Sequence, residues 1–438
     1  MTALFTKAIV RRALAAHSAV GLICCALLYL ICTTGTAIVL YEEWQRIEQP
    51  DAPEMTQIAP AAVDRAIANV VASEAGREPT THLFVHMPTE ALPRTTITTD
   101  TQAVHVDAAG EIVVPEENAW AEFLLGLHYR LNLPAIWGMT LVGLFGAMIV
   151  ALAVSGVVAH PRIFRDAFRL RARRGDDVAT LDWHNRLAVW TLPFALAIAL
   201  TGAMIGMFYI SGYSLAATAY GGDTEAATAP VFGEEPEGDD TPAPVPQVAG
   251  VLDHMARAYP DVPISYVILH DPGTRGQHIQ VVGTPERRLI FGEYYGFAPD
   301  GSFRGTAGLA DGALGQQFAA SIYNLHFGNY GGLPVKIAYI VFGLALSTVV
   351  ATGTFIWLNK QARKGRPRPM LLAGWWGVTI GVPLAILATF VARLALGNGA
   401  PFVAIFWAIA LLTVAIAILA PRLHKTRGAG AGEPGLAG

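Results

Sequence analysis

The sequence predicts an integral membrane α-helical bundle of about six spans, with two α+β domains carried in the loops between them. Three observations lead there. The 438-residue chain is 53% hydrophobic and only 15% charged, where soluble domains carry about 25% charged residues. Six stretches are apolar over about 20 residues, the length that crosses a bilayer core. A net charge of −4 conceals a strong division between segments. The same balance excludes a generally basic nucleic-acid binder, so no nucleic-acid partner is expected. Cys24, Cys25 and Cys32 lie in one apolar stretch and cannot frame a disulfide fold.

The apolar stretches run over 14–40, 136–159, 187–210, 334–358, 371–396 and 401–420. The first is longer than a signal-peptide core, and Tyr41-Glu42-Glu43-Trp44 follows without a small-residue cleavage site. It reads as a retained helix. Gly397-Asn398-Gly399-Ala400-Pro401 joins the last two as a hairpin. The resulting plan has a tail and first span over 1–40 and a first polar domain over 41–135. Spans two and three, with a basic loop between them, occupy 136–210. A linker and second polar domain follow over 211–333, then span four over 334–358. A loop, a two-helix hairpin and a tail complete 359–438.

Charge orients these spans. Segments 1–13, 160–186, 359–370 and 421–438 together hold 18 Lys and Arg against five acids, a balance of +13. The remainder holds 12 basic and 29 acidic residues, a balance of −17. Short basic loops stay in the cytoplasm. Both termini are therefore expected there, with 41–135 and 211–333 outside. A bacterial inner membrane, with the domains in the periplasm, is the expected setting.

The two outside segments share one order, a helix and then strands. In the first, Ala59–Ile67 opens a helix with Pro60 at an acceptable early position. His82–His86 and Thr101–Val114 have strand-like composition, with a turn at Ala108-Ala109-Gly110. In the second, the Pro-, Gly- and acid-rich stretch 221–247 reads as a flexible linker. Val248–Tyr259 follows as a helix. Pro263–Leu269, Gln277–Val282 and Arg288–Phe297 read as strands, and Pro299-Asp300-Gly301 as a turn.

The apolar helices carry an internal repeat. His17 precedes Thr34-Gly35, and His184 precedes Thr201-Gly202, each with 18 positions to the glycine. His128 precedes Ser155-Gly156 by 28 positions to the glycine, and His326 precedes Thr352-Gly353 by 27. Leu127-His128 and Leu325-His326 each lead through Leu-Pro into an apolar helix, and short interfacial helices are a natural place for both histidines. Spans one and two are thus duplicated as spans three and four. Eighteen residues rise about 27 Å, near a bilayer thickness. With neighbouring helices antiparallel, His17 and His184 share the cytoplasmic level with Ser155-Gly156 and Thr352-Gly353. His128 and His326 share the outer level with Thr34-Gly35 and Thr201-Gly202.

Two imidazoles facing one another across a bundle can bind a haem iron axially, and glycine lets a flat macrocycle approach a helix backbone. One haem in each leaflet would carry electrons across the bilayer. Any one His–Gly pair is better explained by an interface histidine and small-residue packing. Four pairs in two matched spacings are not. His160, just after span two, is a competing cytoplasmic-side ligand, but it lies outside the duplication.

These features resemble the PepSY-associated transmembrane helix family. The resemblance rests on His17…Thr34-Gly35, Leu127-His128…Ser155-Gly156, Leu181-Asp182-Trp183-His184…Thr201-Gly202 and Leu325-His326…Thr352-Gly353-Thr354-Phe355-Ile356-Trp357. It covers about residues 10–360, including both outside domains, which it makes PepSY-like. The family includes iron-regulated inner-membrane proteins and di-haem reductases that release iron from ferric siderophores. The resemblance therefore implies two haems b and outward electron flow to a periplasmic ferric siderophore or other ferric chelate. Ser155 departs from the threonine of the other three repeats, and the last two helices lie beyond the repeated unit.

No glycine-rich nucleotide fingerprint joins a strand to a helix. A separate donor, a cytosolic flavin reductase or membrane quinol, is therefore expected. The cysteines read as packing residues. His82, His86, Met87 and His105 are a conceivable metal set, but a surface strand explains them and no third ligand is set by spacing. The basic 162–174 run is explained by topological anchoring beside lipid. Arg393 reads as snorkelling to the outer surface, and Trp375 and Trp376 as an aromatic belt. Two further readings stand beside the reductase. One is a PepSY-type periplasmic binding or regulatory protein without redox activity. The other is an iron-chelate transporter, for which the spans offer few ionisable residues.

Overall fold

The computed structural model describes residues 6–168, 176–233, 236, 238–285 and 289–429. Along the chain, α1 (Lys7–Ile38), α2 (Tyr41–Glu48) and α3 (Pro60–Ser73) precede β1 (His82–His86), β2 (Thr95–Thr98), β3 (Ala103–Val106) and β4 (Ile112–Pro115). Then come α4 (Ala119–Arg130), α5 (Ala135–Ala159), α6 (Ile163–Asp166), α7 (Asp176–Trp190), α8 (Leu192–Gly206), α9 (Phe208–Ala219), α10 (Thr224–Phe232) and α11 (Ala249–Ala258). Next are β5 (Ile264–His270), β6 (His278–Gly283), β7 (Glu293–Phe297) and β8 (Phe303–Thr306). The last helices are α12 (Leu314–Phe327), α13 (Gly332–Arg363), α14 (Pro369–Leu396) and α15 (Phe402–Ala429).

The chain divides into a helical unit (1–39, 119–206 and 337–438) and a sheet unit (40–118 and 207–336). In the helical unit, α1, α5, α13, α14 and α15 are each long and apolar enough to span a bilayer. The predicted third span, 187–210, is not one straight helix. Its counterpart is 179–190 plus α8, bent by 65° at Thr191. Pro193 supplies the reason. It has no N–H to bond back one turn, and its ring crowds the carbonyl four residues earlier. Among the described residues the count is therefore five spans, or six with the bent pair taken as one.

Small residues bring these helices close. A Cβ on Gly146 of α5 would stand 2.8 Å from the Ala199 carbonyl oxygen of α8. One on Gly377 of α14 would stand 2.6 Å from Val414 Cα of α15. Trp375, expected in an aromatic belt, is instead buried, and its indole donates to the Ala351 carbonyl at 3.0 Å. Trp376 is exposed, as a belt residue should be. Arg393 is only 8% exposed, so it does not snorkel out from α14. Cys24 and Cys32 are buried. The Cys24 thiol donates to Met148 Sδ at 3.1 Å, a packing contact between α1 and α5.

In the sheet unit, the two expected α+β domains are halves of one structure. The eight strands form a single antiparallel sheet in the order β4-β3-β2-β1-β5-β6-β7-β8. Its centre is the β1–β5 pair, with Val85 opposite Val267. Each half alone would present a bare strand edge at this point, and the pairing removes both. One face packs Leu83, Val85, Ile97, Val104 and Val106 with Val267, Leu269, Ile279, Val281 and Phe297 into a shared core. Apolar faces of α3 and α11 cover it. Asp64 of α3 joins the halves again, because its Oδ1 accepts the Val248 and Ala249 amides at the start of α11, at 2.6 and 3.2 Å. At the β3–β4 turn, Gly110 has φ +83° and lies against the Ala62 carbonyl, where a side chain does not fit.

Three sequence expectations are amended here. Segment 221–247, expected as a flexible linker, contains α10, capped by Asp223 through the Ala226 amide at 3.0 Å. Within it, residues 234, 235 and 237 lie outside the described set. The strand expected over Arg288–Phe297 begins at Glu293, and Arg288 is likewise outside. Of the basic 162–174 run, residues 169–174 also lie outside.

Candidate functional site: a repeated histidine seat in the helical unit

Three of the four repeated histidines meet the same arrangement. His17 of α1 places Nδ1 3.0 Å from the Leu152 carbonyl and 3.3 Å from Ser155 Oγ, both on α5. His184 of α7 places Nδ1 3.0 Å from the Val349 carbonyl and 3.2 Å from Thr352 Oγ1, both on α13. His128 of α4 places Nδ1 3.0 Å from the Ile31 carbonyl and 3.4 Å from Thr34 Oγ1, both on α1. In each seat the carbonyl belongs to the residue three positions before the hydroxyl.

The partners settle the tautomer. A carbonyl can only accept, so Nδ1 carries the hydrogen. Each hydroxyl lies within reach of carbonyls of its own helix. Ser155 donates to Ala151 at 2.7 Å, Thr352 to Thr348 at 2.7 Å and Thr34 to Leu30 at 2.9 Å. Its lone pairs then face the imidazole N–H. Nε2 is left with a lone pair in all three histidines. An imidazole that donates Nδ1–H to a carbonyl and bears its lone pair on Nε2 is oriented as metal-ligating histidines usually are.

The glycines have a different task from the one expected. The sequence reading gave Gly35, Gly156 and Gly353 to the approach of a macrocycle. The structure puts the imidazole itself there. A Cβ on Gly35 would stand 2.6 Å from His128 Cε1, and Cβ atoms on Gly156 and Gly353 would stand 3.2 Å from Cε1 of His17 and His184. The His–small-pair repeat is therefore a docking device for a ring, and its partner always comes from another helix.

His17 and His184 come together. Their ring centres are 6.5 Å apart and their planes 81° apart. Two imidazoles sharing one metal ion, each with about 2.1 Å from metal to nitrogen and about 1.2 Å on to the ring centre, would have ring centres up to about 6.5 Å apart. At this separation both rings could hold one metal ion between them. His128 belongs to the helical unit, whereas His326 belongs to the sheet unit, near the end of α12. The His326 ring lies 5.6 Å from that of Phe327. Both histidines are on short helices preceding a span, as their Leu-Pro sequels suggested. Gly202 follows Thr201 on α8, and the Thr201 hydroxyl takes the same posture as the other three, 2.7 Å from the Ala197 carbonyl and 3.2 Å from Ile198. His160, the competing candidate, caps α5 and gives its amide to the Gly156 carbonyl at 3.2 Å.

The PepSY-associated TM region matches residues 14–360. The chain belongs to that family. As a PepSY-associated membrane protein it is also similar to the uncharacterised protein PA4219 of Pseudomonas aeruginosa, with 26% identity over 264 residues. That similarity covers 57% of this chain and 66% of the relative's length. The match runs from within α1 to within α13, and it ends before α14 and α15.

Sequence reasoning missed two sets of residues. One is the accepting carbonyls of Ile31, Leu152 and Val349. Helical geometry could have found them, since residue i−3 lies beside a back-bonding hydroxyl. The other is on the sheet. His105, read as part of a surface strand, is 2% exposed. Its Nε2–H donates to Gln49 Oε1 at 3.1 Å and its Nδ1 accepts from Thr96 at 2.9 Å. Burial pushes its pKa down to about 4, assisted by Arg94 and His86. Burial likewise pushes His86 down to about 4. Among the described residues, no group of three His, Cys, Asp or Glu is arranged to hold a metal ion.

Proposed function

We propose that this protein is a di-haem electron-transfer protein of a bacterial inner membrane that reduces a periplasmic ferric chelate, a ferric siderophore foremost. Haem b, when bound, supplies reversible one-electron transfer in an apolar site. His17 and His184 would hold one haem, and His128 and His326 the other. Both termini would be cytoplasmic, with the sheet unit in the periplasm. Electrons would come from a separate donor, a cytosolic flavin reductase or membrane quinol. Reduction to Fe(II) weakens binding by hard oxygen donors and so frees the iron.

The single observation that supports this reading best is the His17–His184 pair. Two imidazoles with Nδ1 hydrogens spent on helix carbonyls stand at a ligation distance inside an apolar bundle. The chain's residues do three things here. The carbonyls of Leu152 and Val349 fix the tautomer and raise imidazole basicity. Gly156 and Gly353 make room for the rings. The surrounding apolar helices exclude water and lower the local dielectric.

A reduced-minus-oxidised visible spectrum of the detergent-purified chain tests the proposal. Two b-type haems per chain are expected from haem-replete cells. Their absence would leave the PepSY-type binding reading in place. His184→Ala should remove one haem and His128→Ala the other. Loss of neither would overturn the ligand assignment.

A further inference from the structure

The sheet face opposite the α3–α11 core carries a row of histidines that the helical site does not use. His82 of β1 is paired with His270 of β5, and His270 with His278 of β6. Direct partners in antiparallel strands share a face, so the three rings form one line across the centre of the sheet. Ring centres are 4.9 Å apart between His82 and His270, with planes at 70°. They are 4.2 Å apart between His270 and His278, with planes at 9°.

The hydrogen bonds leave a lone pair on each of two neighbouring rings. Thr81 gives its hydroxyl hydrogen to Asp100 Oδ2 at 2.9 Å, so its oxygen accepts from His82 Nδ1 at 3.0 Å. His82 Nε2 then bears a lone pair, backed by a carboxylate relayed through a hydroxyl. This is the outer-shell support that metal-binding imidazoles carry. His270 is 8% exposed, and its Nε2 is buried without a hydrogen-bond partner. Its other interaction is with the Gln280 side chain. A buried nitrogen with no hydrogen-bond partner is a group that a bound cation would satisfy. Burial, with His278 and His82 beside it, pushes the His270 pKa down to about 3 and keeps the ring neutral.

We propose that Nε2 of His82 and Nε2 of His270 bind one divalent cation of borderline softness, Fe(II) being the relevant one if the proposed ferric-chelate reduction holds. Imidazole suits Fe(II), Zn(II), Ni(II) and Cu(II) over hard Mg(II) or Ca(II). With about 2.1 Å to each nitrogen and about 1.2 Å on to each ring centre, a 4.9 Å separation corresponds to a ligand–metal–ligand angle of about 95°. That suits two neighbouring positions of one ion. His278 lies flat against His270, with ring centres 4.2 Å apart, and is not needed as a ligand. It is a positioning residue that holds the His270 ring. Two protein ligands leave the other positions to water or to donors the cation brings with it. Such a site takes up a cation and gives it up again, as a hand-over point for a freed ferrous ion requires.

The test uses the full chain in detergent, treated with EDTA. Zn(II), and Fe(II) without oxygen, are measured by equilibrium dialysis with elemental analysis. Wild type should bind one equivalent more than His270→Gln. His82→Gln, on the more exposed partner, should weaken binding about 10-fold or more, while His86→Gln binds as wild type. Equal binding by wild type and His270→Gln, or unaltered affinity in His82→Gln, overturns the site. Should His270→Gln fail to fold, His82→Gln decides alone. Haem spectra on the same samples separate this site from the reading it rests on. Cation binding without haem bands defeats the reductase and leaves the site. Haem bands without cation binding defeat the site alone.

Discussion

Alanine at Gly35 should destabilise the helical unit, while alanine at Gly156 or Gly353 should not. The new Cβ at Gly35 would meet His128 Cε1 at 2.6 Å and Nδ1 at 3.1 Å. Carbon contacts are comfortable at about 3.5 Å or more, so the ring must retreat by about 1 Å. That retreat carries Nδ1 from its 3.0 Å bond with the Ile31 carbonyl to beyond hydrogen-bond range. The lost bond costs about 1 kcal/mol, and crowding about 1–3 kcal/mol more. Exchanging glycine for alanine in a helix returns up to about 1 kcal/mol. The net loss is about 1–3 kcal/mol. At Gly156 and Gly353 the contact is 3.2 Å, so a few tenths of an ångström suffice. There the helix gain of about 1 kcal/mol offsets the crowding and the change is near zero. Thermal unfolding of each variant in detergent gives the ranking, and the visible spectrum reports on the haem assigned to His128. A Gly35→Ala protein as stable as wild type, or a Gly156→Ala protein that loses more, would refute the idea that the glycines exist to seat the rings.

The sheet unit should weaken as pH falls from about 6.5 toward 4. His86 and His105 are pushed down to about 4 in the fold from an ordinary 6.5. Between those values the unfolded chain takes up protons that the folded one refuses, so acid favours unfolding by up to about 1.4 kcal/mol per pH unit for each histidine. His105→Gln should flatten that slope, as hydrogen exchange of the sheet amides against pH would show. Lys336→Met should cost about 2 kcal/mol, because the ammonium bonds Glu42 at 2.9 Å and Glu43 at 2.8 Å while only 11% exposed. Its removal leaves two adjacent carboxylates unopposed, and unfolding in high salt should recover part of the loss. If the eight strands are one sheet, Val85 and Val267 at its centre should exchange their amides more slowly than residues of β4 and β8. Equal protection at centre and edge would argue for two separate folding units.

Much of this molecule was legible before any coordinates. The apolar lengths of α1, α5, α13, α14 and α15 are local properties, since a bilayer demands them of any spanning helix. The break at Thr191 was not read: 187–210 predicts one span, although Pro193, with no N–H of its own, stands just after the bend. The histidine repeat was visible through matched spacing, and spacing along antiparallel helices carried the levels at which His17 meets Ser155 and His184 meets Thr352. Strands β1, β5 and β6 were legible by composition. The short strands β2 and β8, four residues each, were not, because too few side chains alternate to declare a period.

By itself, then, the sequence determined a multi-pass helical protein with a duplicated histidine pattern and two similar α+β segments. Those features depend on local composition and on distances along one chain. Tertiary structure alone decided that the two segments share one sheet, because pairing β1 with β5 joins residues about 180 positions apart through backbone bonds any sequence can make. It decided that Arg393 and Trp375 are buried, since burial depends on which helices lie alongside. It gave the glycines to imidazole rings from neighbouring helices. It also aligned His82, His270 and His278, whose meeting rests on strand register, and a slip of one residue would send them to opposite faces.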